Sequence, residues 1–186
     1  IIMDDIQKNR FSMLSFYERR ARRILPALFF MMICIIPATW YLMLPDQIIN
    51  FAKTLIAVPL FSSNIFFLFQ SGYFSPTSET MPLLHTWSLA VEEQYYLIFP
   101  LFLLATWKLS KNIRLIFIAS LAIISLSFAQ WGSVTHQYFT FYTLPTRCFE
   151  ILAGALVSIS MNKAKADMQP DSKMLNLLAL AGIIAI

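Results

Sequence analysis

Uncharged apolar runs alternate with short polar segments along the chain. The runs are Ile24–Leu44, Thr54–Phe69, Tyr95–Trp107, Leu115–Ala129 and Arg147–Met161, the last of which carries charge only near its start. Ile24–Leu44 is 21 residues long, close to the roughly 20 residues that a helix needs to cross the hydrocarbon core. The pattern predicts an all-α fold, a polytopic transmembrane helical bundle of about four spans with a truncated last helix.

The run Thr54–Phe69 is short for a span and is interrupted by Pro59 and by a Ser-Ser-Asn sequence. If it does not cross, and the N-terminal arginines are cytoplasmic, all 14 basic residues except Lys53 and Arg147 fall on the cytoplasmic side. We therefore interpret this run as a re-entrant or interfacial segment. A full crossing is the alternative.

This path also predicts the positions of the connecting segments. The outer ones are Gln70–Met81 and Gln130–Tyr142, and the inner ones are Lys108–Arg114 and Asn162–Lys173.

The stretch Pro82–Pro100 is where a polar motif leads directly into an apolar helix. A helix from about His85 places His85, Ser88, Glu92 and Tyr96 on one face. We expect Glu92 to point to the protein interior and Glu93, about 100° away, to be less constrained. The alternative is that both acids only mark a helix start, which the helix dipole favours.

A second charged pair opens the later helix on the same side, since Arg147 and Glu150 are three residues apart. Together with His85 and Glu92, this pair forms a candidate catalytic set. A His and carboxylates in a wet pocket can act as a general base on a hydroxyl, and the guanidinium can hold an anionic or sugar oxygen. The alternative is a purely structural ion pair between Arg147 and Glu150.

Four arginines, Arg19, Arg20, Arg22 and Arg23, occupy five consecutive positions before the first apolar run. Basic residues beside a span commonly anchor it to anionic lipid. Arginine also makes forked contacts to phosphate, so the cluster is a candidate binding site for an anionic cofactor that enters from the cytoplasm.

Composition supports a membrane protein, since 58% of the 186 residues are hydrophobic and 13% are charged. Cys34 and Cys148 lie in or beside apolar segments, and no spacing suggests a metal site or a disulfide. The chain begins at Ile1 and stops at Ile186 inside an apolar run. We expect a piece of a longer polypeptide, incomplete at both ends.

Four blocks of sequence carry a resemblance to a known family. They are Phe16–Pro26 (Phe-Tyr-Glu-Arg-Arg-Ala-Arg-Arg-Ile-Leu-Pro), Ser63-Asn64 with Ser71–Phe74, Pro82–Tyr96 (Pro-Leu-Leu-His-Thr-Trp-Ser-Leu-Ala-Val-Glu-Glu-Gln-Tyr-Tyr) and Phe141–Gly154. In this order they resemble the integral-membrane acyltransferase family three, bacterial O-acetylases of lipopolysaccharide and peptidoglycan. The similarity is greatest to the branch in which an SGNH domain follows the membrane domain.

The resemblance implies that residues 1–186 are part of one acyltransferase transmembrane domain in the bacterial inner membrane. It implies acetyl-CoA as the donor, no metal, no nucleic acid, membrane lipid as a partner and a periplasmic glycan as the acceptor. The juxtamembrane Arg-x-x-Arg element of the family maps onto Arg19 and Arg22 or onto Arg20 and Arg23 and is expected to hold the CoA phosphates. The catalytic His of the family is expected upstream of Ile1. A lipid-linked sugar transporter or flippase and a non-catalytic scaffold are the alternative functions.

Overall fold

The computed structural model describes residues 5, 6, 8, 10–72 and 80–167, with side chains up to residue 159. Within this part of the chain every regular element is a helix, which confirms the all-α class. The helices are α1 (Met13–Leu42), α2 (Pro45–Ala57), α3 (Ser63–Gln70), α4 (Thr86–Ala105), α5 (Lys111–Thr135), α6 (Gln137–Tyr142) and α7 (Leu144–Asp167).

Two of the described helices, α1 and α5, are long and apolar enough to cross a membrane. Both are poorly covered by the rest of the protein, as expected for helices that face lipid or further helices. The predicted count of four spans is not confirmed.

Helix α1 begins well before the first apolar run. Ser12 caps it, with its side-chain oxygen accepting from the backbone N–H of Ser15, and the helix continues through Pro26 and Pro37. Pro26 therefore lies in the interior of α1, although it is only the third residue of the apolar run Ile24–Leu44. Polar residues of this first part favour the helix, because Glu18 and Arg22 pair across one turn. The arginine cluster is thus part of α1 and not of a loop before it.

Helices α2 and α3 form a hairpin in which the chain reverses direction. Helix α2 ends at Ala57, and Phe61 in the following turn has a φ of 51°, a left-handed conformation that is uncommon for a bulky residue. Nε2 of Gln70 donates to Oδ1 of Asn50 at 3.3 Å. A continuous helix would separate these residues by about 30 Å. The run Thr54–Phe69 therefore turns back on itself.

The core consists of two apolar clusters. One joins α1 to the hairpin and to the segment before α4 through Leu28, Met32, Phe51, Val58 and Leu83. The other joins α4, α5 and α7 through Tyr95, Ile118, Leu152 and Ile159. Helix α4 thus borders both halves of the described structure.

The connecting segments differ from the sequence expectations. Gln130–Tyr142 is mostly helical, because α5 continues to Thr135 and α6 follows. The basic segment Lys108–Arg114 is only partly a loop, since α5 begins at Lys111. Buried Arg114 donates from Nη2 to the carbonyl oxygens of Trp107 and Leu109, at 3.1 and 3.2 Å. It closes the α4–α5 turn instead of facing solvent.

Two predicted segments lie partly outside the described residues. Most of Gln70–Met81 lies outside the described residues. Of Asn162–Lys173, the described part up to Asp167 continues helix α7.

The hairpin yields a prediction about membrane topology. Single cysteines at Asp46 and Ser71, in a background without Cys34 and Cys148, should both react with an impermeant thiol reagent in intact spheroplasts of cells that make the full-length protein. A cysteine at Asn112, at the start of α5, should react only after permeabilisation. Reaction of Asp46 and Ser71 from opposite sides would show that the hairpin crosses the membrane.

Candidate functional site

An ion pair between α1 and α4 is the most buried ion pair among the described residues. Nε of Arg20 donates to both carboxylate oxygens of Glu93, at 2.9 and 2.8 Å, and Nη2 lies 2.7 Å from Oε1. The side chain of Glu93 is 9% exposed and that of Arg20 is 23% exposed. The geometry is the forked, charge-assisted arrangement that arginine makes with a carboxylate.

Aromatic residues complete this contact. The guanidinium carbon of Arg20 lies 3.2 Å from the ring centroid of Tyr96, a cation–π arrangement. One turn before Arg20, the hydroxyl of Tyr17 donates to the carbonyl of Leu97 at 2.9 Å. The two helices therefore run antiparallel here and are tied at two levels.

A cavity of about 320 Å³ lies beside the pair. This volume is within the range of about 300–1,000 Å³ that is usual for small-molecule sites. Its wall is formed by α1, α4 and the turn between α2 and α3. The lining residues are Tyr17, Arg20, Ala21, Ile24, Leu60, Phe61, Glu93, Gln94, Tyr96 and Leu97.

A network of two amides holds the far wall of this cavity. Nε2 of Gln94 donates to Oδ1 of Asn64 and to the carbonyl of Phe61, both at 2.9 Å. Nδ2 of Asn64 donates to the carbonyl of Tyr142 at 3.0 Å. The network therefore fixes the left-handed Phe61 turn against α4 and α6.

Sequence reasoning missed the roles of Asn64 and Gln94. The signal was present, because Asn64 interrupts the apolar run Thr54–Phe69 and Gln94 directly precedes the apolar part of α4. A polar side chain in such a place is expected to have a buried partner.

The expectation that Glu92 points to the interior is wrong. Glu92 is exposed and has no hydrogen-bond or ion-pair partner among the described residues, whereas its neighbour Glu93 reaches α1. His85 and Ser88, which share the face of Glu92, are exposed as well. Helical spacing grouped His85, Ser88 and Glu92 correctly on one exposed face, but Tyr96, which was placed with them, contacts Arg20. Spacing alone does not tell which face of a helix meets the next helix.

The predicted catalytic residues do not converge at one place. His85 immediately precedes α4, with Nε2 3.4 Å from the sulfur of Met31, and lies about 12 Å along the helix from Glu93. Arg147 pairs with Glu150 at 3.2 Å, and its guanidinium lies 5.3 Å from the ring centre of Trp87. Neither residue of this second pair lines the cavity beside Arg20.

The four arginines of the cluster have different partners. Arg19 donates to the hydroxyl of Ser15, Arg20 binds Glu93, and Arg22 pairs with the exposed Glu18. Arg23 is exposed and has no partner among the described residues. The sequence predicts the arginine cluster on the cytoplasmic side and the acids of α4 on the outer side. This separation is wrong for Arg20, because Arg20 and Glu93 are in direct contact.

Fold and site together define an all-helical protein with two candidate membrane-spanning helices and a partly buried ion pair at the wall of a cavity. Comparison with known proteins gives the family. A family described as an acyltransferase domain matches residues 6–186. The chain belongs to the integral-membrane acyltransferase family three, whose members are acyltransferases. No solved structure matches it significantly.

Two of the three relatives described here are named as O-acetyltransferases. An uncharacterized protein of Haemophilus influenzae is 34% identical over 97% of the chain and 76% of its own length. O-acetyltransferase OatA of Staphylococcus aureus is 30% identical over 85% of the chain, and peptidoglycan O-acetyltransferase OatA of Listeria monocytogenes is 31% identical over 100% of it. The chain spans only 26% and 31% of the length of these two OatA proteins.

The ion pair yields a prediction about stability. Glu93→Gln should destabilise the fold by about 2 kcal/mol, as for the loss of hydrogen bonds between charged groups at a partly buried site, because Arg20 keeps its charge and loses its partner. The exposed neighbour provides the control, since Glu92→Gln should change stability by no more than about 0.5 kcal/mol. A denaturant titration of the full-length protein in detergent micelles measures both.

The double variant Arg20→Met/Glu93→Met provides the complementary result. It should recover much of the lost stability, since replacing a buried pair by apolar residues is often neutral. Equal stability of the Glu92 and Glu93 variants would contradict the buried position of Glu93.

Proposed function

We propose that the full-length protein is a membrane O-acetyltransferase. It transfers an acetyl group from cytoplasmic acetyl-CoA to a hydroxyl of a cell-surface glycan, either peptidoglycan or the O-antigen of lipopolysaccharide. The family membership and the two O-acetyltransferases among the relatives support this proposal. The protein resides in the bacterial inner membrane with several spans, contacts membrane lipid and the periplasmic glycan, and carries an SGNH domain in its full-length form.

The observation that carries the proposal is the forked Arg20–Glu93 pair at the wall of the cavity. A guanidinium has five N–H groups, and the carboxylate of Glu93 occupies those on Nε and on one side of Nη2. Tyr96 also interacts with the guanidinium of Arg20, through its ring and through a side-chain hydrogen bond. A thioester carbonyl in the cavity would accept from one of the N–H groups that remain.

This arrangement suits stabilisation of a developing negative charge. When the acceptor hydroxyl attacks the acetyl carbon, a C–O bond forms, the carbonyl oxygen becomes negative, and the C–S bond then breaks to release CoA. A donor that is held before the reaction lowers the energy of that oxyanion without reorganisation. Glu93 fixes the orientation of the guanidinium, and Tyr96 supports it from one face.

Glu93 is not the base that takes the proton of the acceptor hydroxyl. Both of its oxygens already accept hydrogen bonds from Arg20, so the carboxylate is engaged in the contact with α1. We assign the base to the histidine that the family resemblance implies upstream of Ile1. His85, exposed beside Met31, lies away from the cavity.

Arg23 is the strongest candidate within the cluster for the CoA phosphates. It is exposed and keeps its whole set of N–H donors, whereas each of the other three arginines already has a partner. Arginine meets phosphate through two parallel hydrogen bonds that lysine cannot reproduce.

Activity measurements on the full-length protein test the role of Arg20. Arg20→Lys keeps the charge but loses the forked geometry, so kcat should fall by on the order of 100-fold, as for the loss of one oxyanion donor. KM for acetyl-CoA should change little. Release of the CoA thiol together with acetylated glycan is the measurement.

Glu93→Gln should lower kcat as well, whereas the exposed control Glu92→Gln should behave like the parent protein. If the two glutamine substitutions have equal effects on kcat, the Arg20–Glu93 pair has no role in acetyl transfer. A parent that moves the glycan across the membrane without CoA release would favour the transporter instead.

Donor binding tests the role of Arg23. Arg23→Lys should weaken the binding of acetyl-CoA by about tenfold, the loss of one charge-assisted hydrogen bond. Arg22→Lys, whose arginine pairs with exposed Glu18, is the matched control and should bind normally. A titration in nanodiscs gives both constants. If neither lysine variant binds more weakly, the cluster serves as an anchor.

A further inference from the structure

An open cleft of about 430 Å³ lies on the surface between α5, α6 and α7. It shares no lining residue with the cavity beside Arg20. We refer to it as the polar cleft, after the side chains of Gln130, Ser133, Gln137, Thr140, Arg147 and Glu150 at its wall. The function proposed above does not use it.

The polar cleft presents hydrogen-bonding groups that other parts of the protein leave free. The side-chain amides of Gln130 and Gln137 have no partner among the described residues, so each offers both donors and acceptors. The hydroxyls of Ser133 and Thr140 donate to the carbonyls of Gln130 and His136, at 2.7 and 3.1 Å. Their lone pairs remain available to accept from a ligand.

The charge of the cleft selects against anions. Arg147 is the only cation at its wall, and Glu150 neutralises it at 3.2 Å. A phosphate or carboxylate ligand would compete with Glu150 for the same guanidinium. Neutral ligands with many hydroxyl and amide groups fit this lining better.

An aromatic side chain provides the apolar part of the wall. The ring of Phe141 is 44% exposed, although its centre lies 4.5 Å from that of Trp87 and 5.1 Å from the guanidinium of Arg147. A sugar ring has an apolar face of C–H groups and a rim of hydroxyls. The C–H face can pack on an exposed aromatic ring, and the hydroxyls can form hydrogen bonds with side-chain amides.

We propose that the polar cleft is a subsite for neutral sugar residues of the acceptor glycan. This inference rests on the proposed function. A polymeric acceptor extends beyond the hydroxyl that reacts, so a subsite away from the Arg20 cavity can hold the strand without touching the reacting atoms. Its removal should weaken the binding of long acceptors and leave donor binding unchanged.

The test uses the full-length protein in nanodiscs and chitin oligosaccharides, from the disaccharide to the hexasaccharide, as the uncharged probe. Without donor, the parent should bind the hexasaccharide more tightly than the disaccharide. The double variant Gln130→Ala/Gln137→Ala should bind the hexasaccharide about tenfold more weakly, as expected for two lost neutral hydrogen bonds. Thr135→Ala, on the same end of α5 but outside the cleft, is the control.

The binding measurement separates this inference from the proposed function. If the hexasaccharide binds and the double variant weakens it, the subsite stands even where no acetyl group is transferred. If the parent does not bind the hexasaccharide, or the double variant binds it as the parent does, the subsite is wrong even where acetyl transfer is observed.

Discussion

The ion pair between Arg20 and Glu93 is the contact on which the arrangement of α1 and α4 depends. The other ion pairs of the described residues join positions within one helix, at spacings of three or four. Helices α1 and α4 make few other close approaches, because the cavity lies between them. The forked contact and the hydrogen bond from Tyr17 to Leu97 fix the first part of α1 against α4, and the apolar cluster around Leu28 joins the later part of α1 to the start of α4.

Stability alone does not explain why a charged pair occupies this place. Two charges lose hydration when they are buried, and apolar residues of similar volume are often as stabilising or more so. In a membrane protein the cost of a single unpaired charge is higher still, which makes the pairing necessary once either charge is present. A pair with free N–H groups beside a cavity is better explained by a function in binding or catalysis than by packing.

Much of the fold follows from the spacing of apolar residues, whereas the site does not. Apolar runs predicted the cores of α1, α4, α5 and α7, and Pro59 with the polar residues after it predicted the interruption between α2 and α3. Charged residues next to the apolar runs were wrongly placed outside the helices. The arginine cluster belongs to α1, and Arg114 is buried in α5. A sequence shows that a residue is charged, but the partner that makes a charge tolerable inside a helix bundle lies far away along the chain.

The same limit explains why Glu93 and not Glu92 faces α1. The two acids differ by one position, and only the packing of α4 against α1 on one side and against α5 and α7 on the other decides which of them is covered. This packing also gives α4 a position between the two cavities, with Glu93 at one and Trp87 beside the other. A tilt of α4 would therefore change both sites at once, and the amide network of Gln94 and Asn64 opposes such a tilt by fixing α4 to α3 and α6.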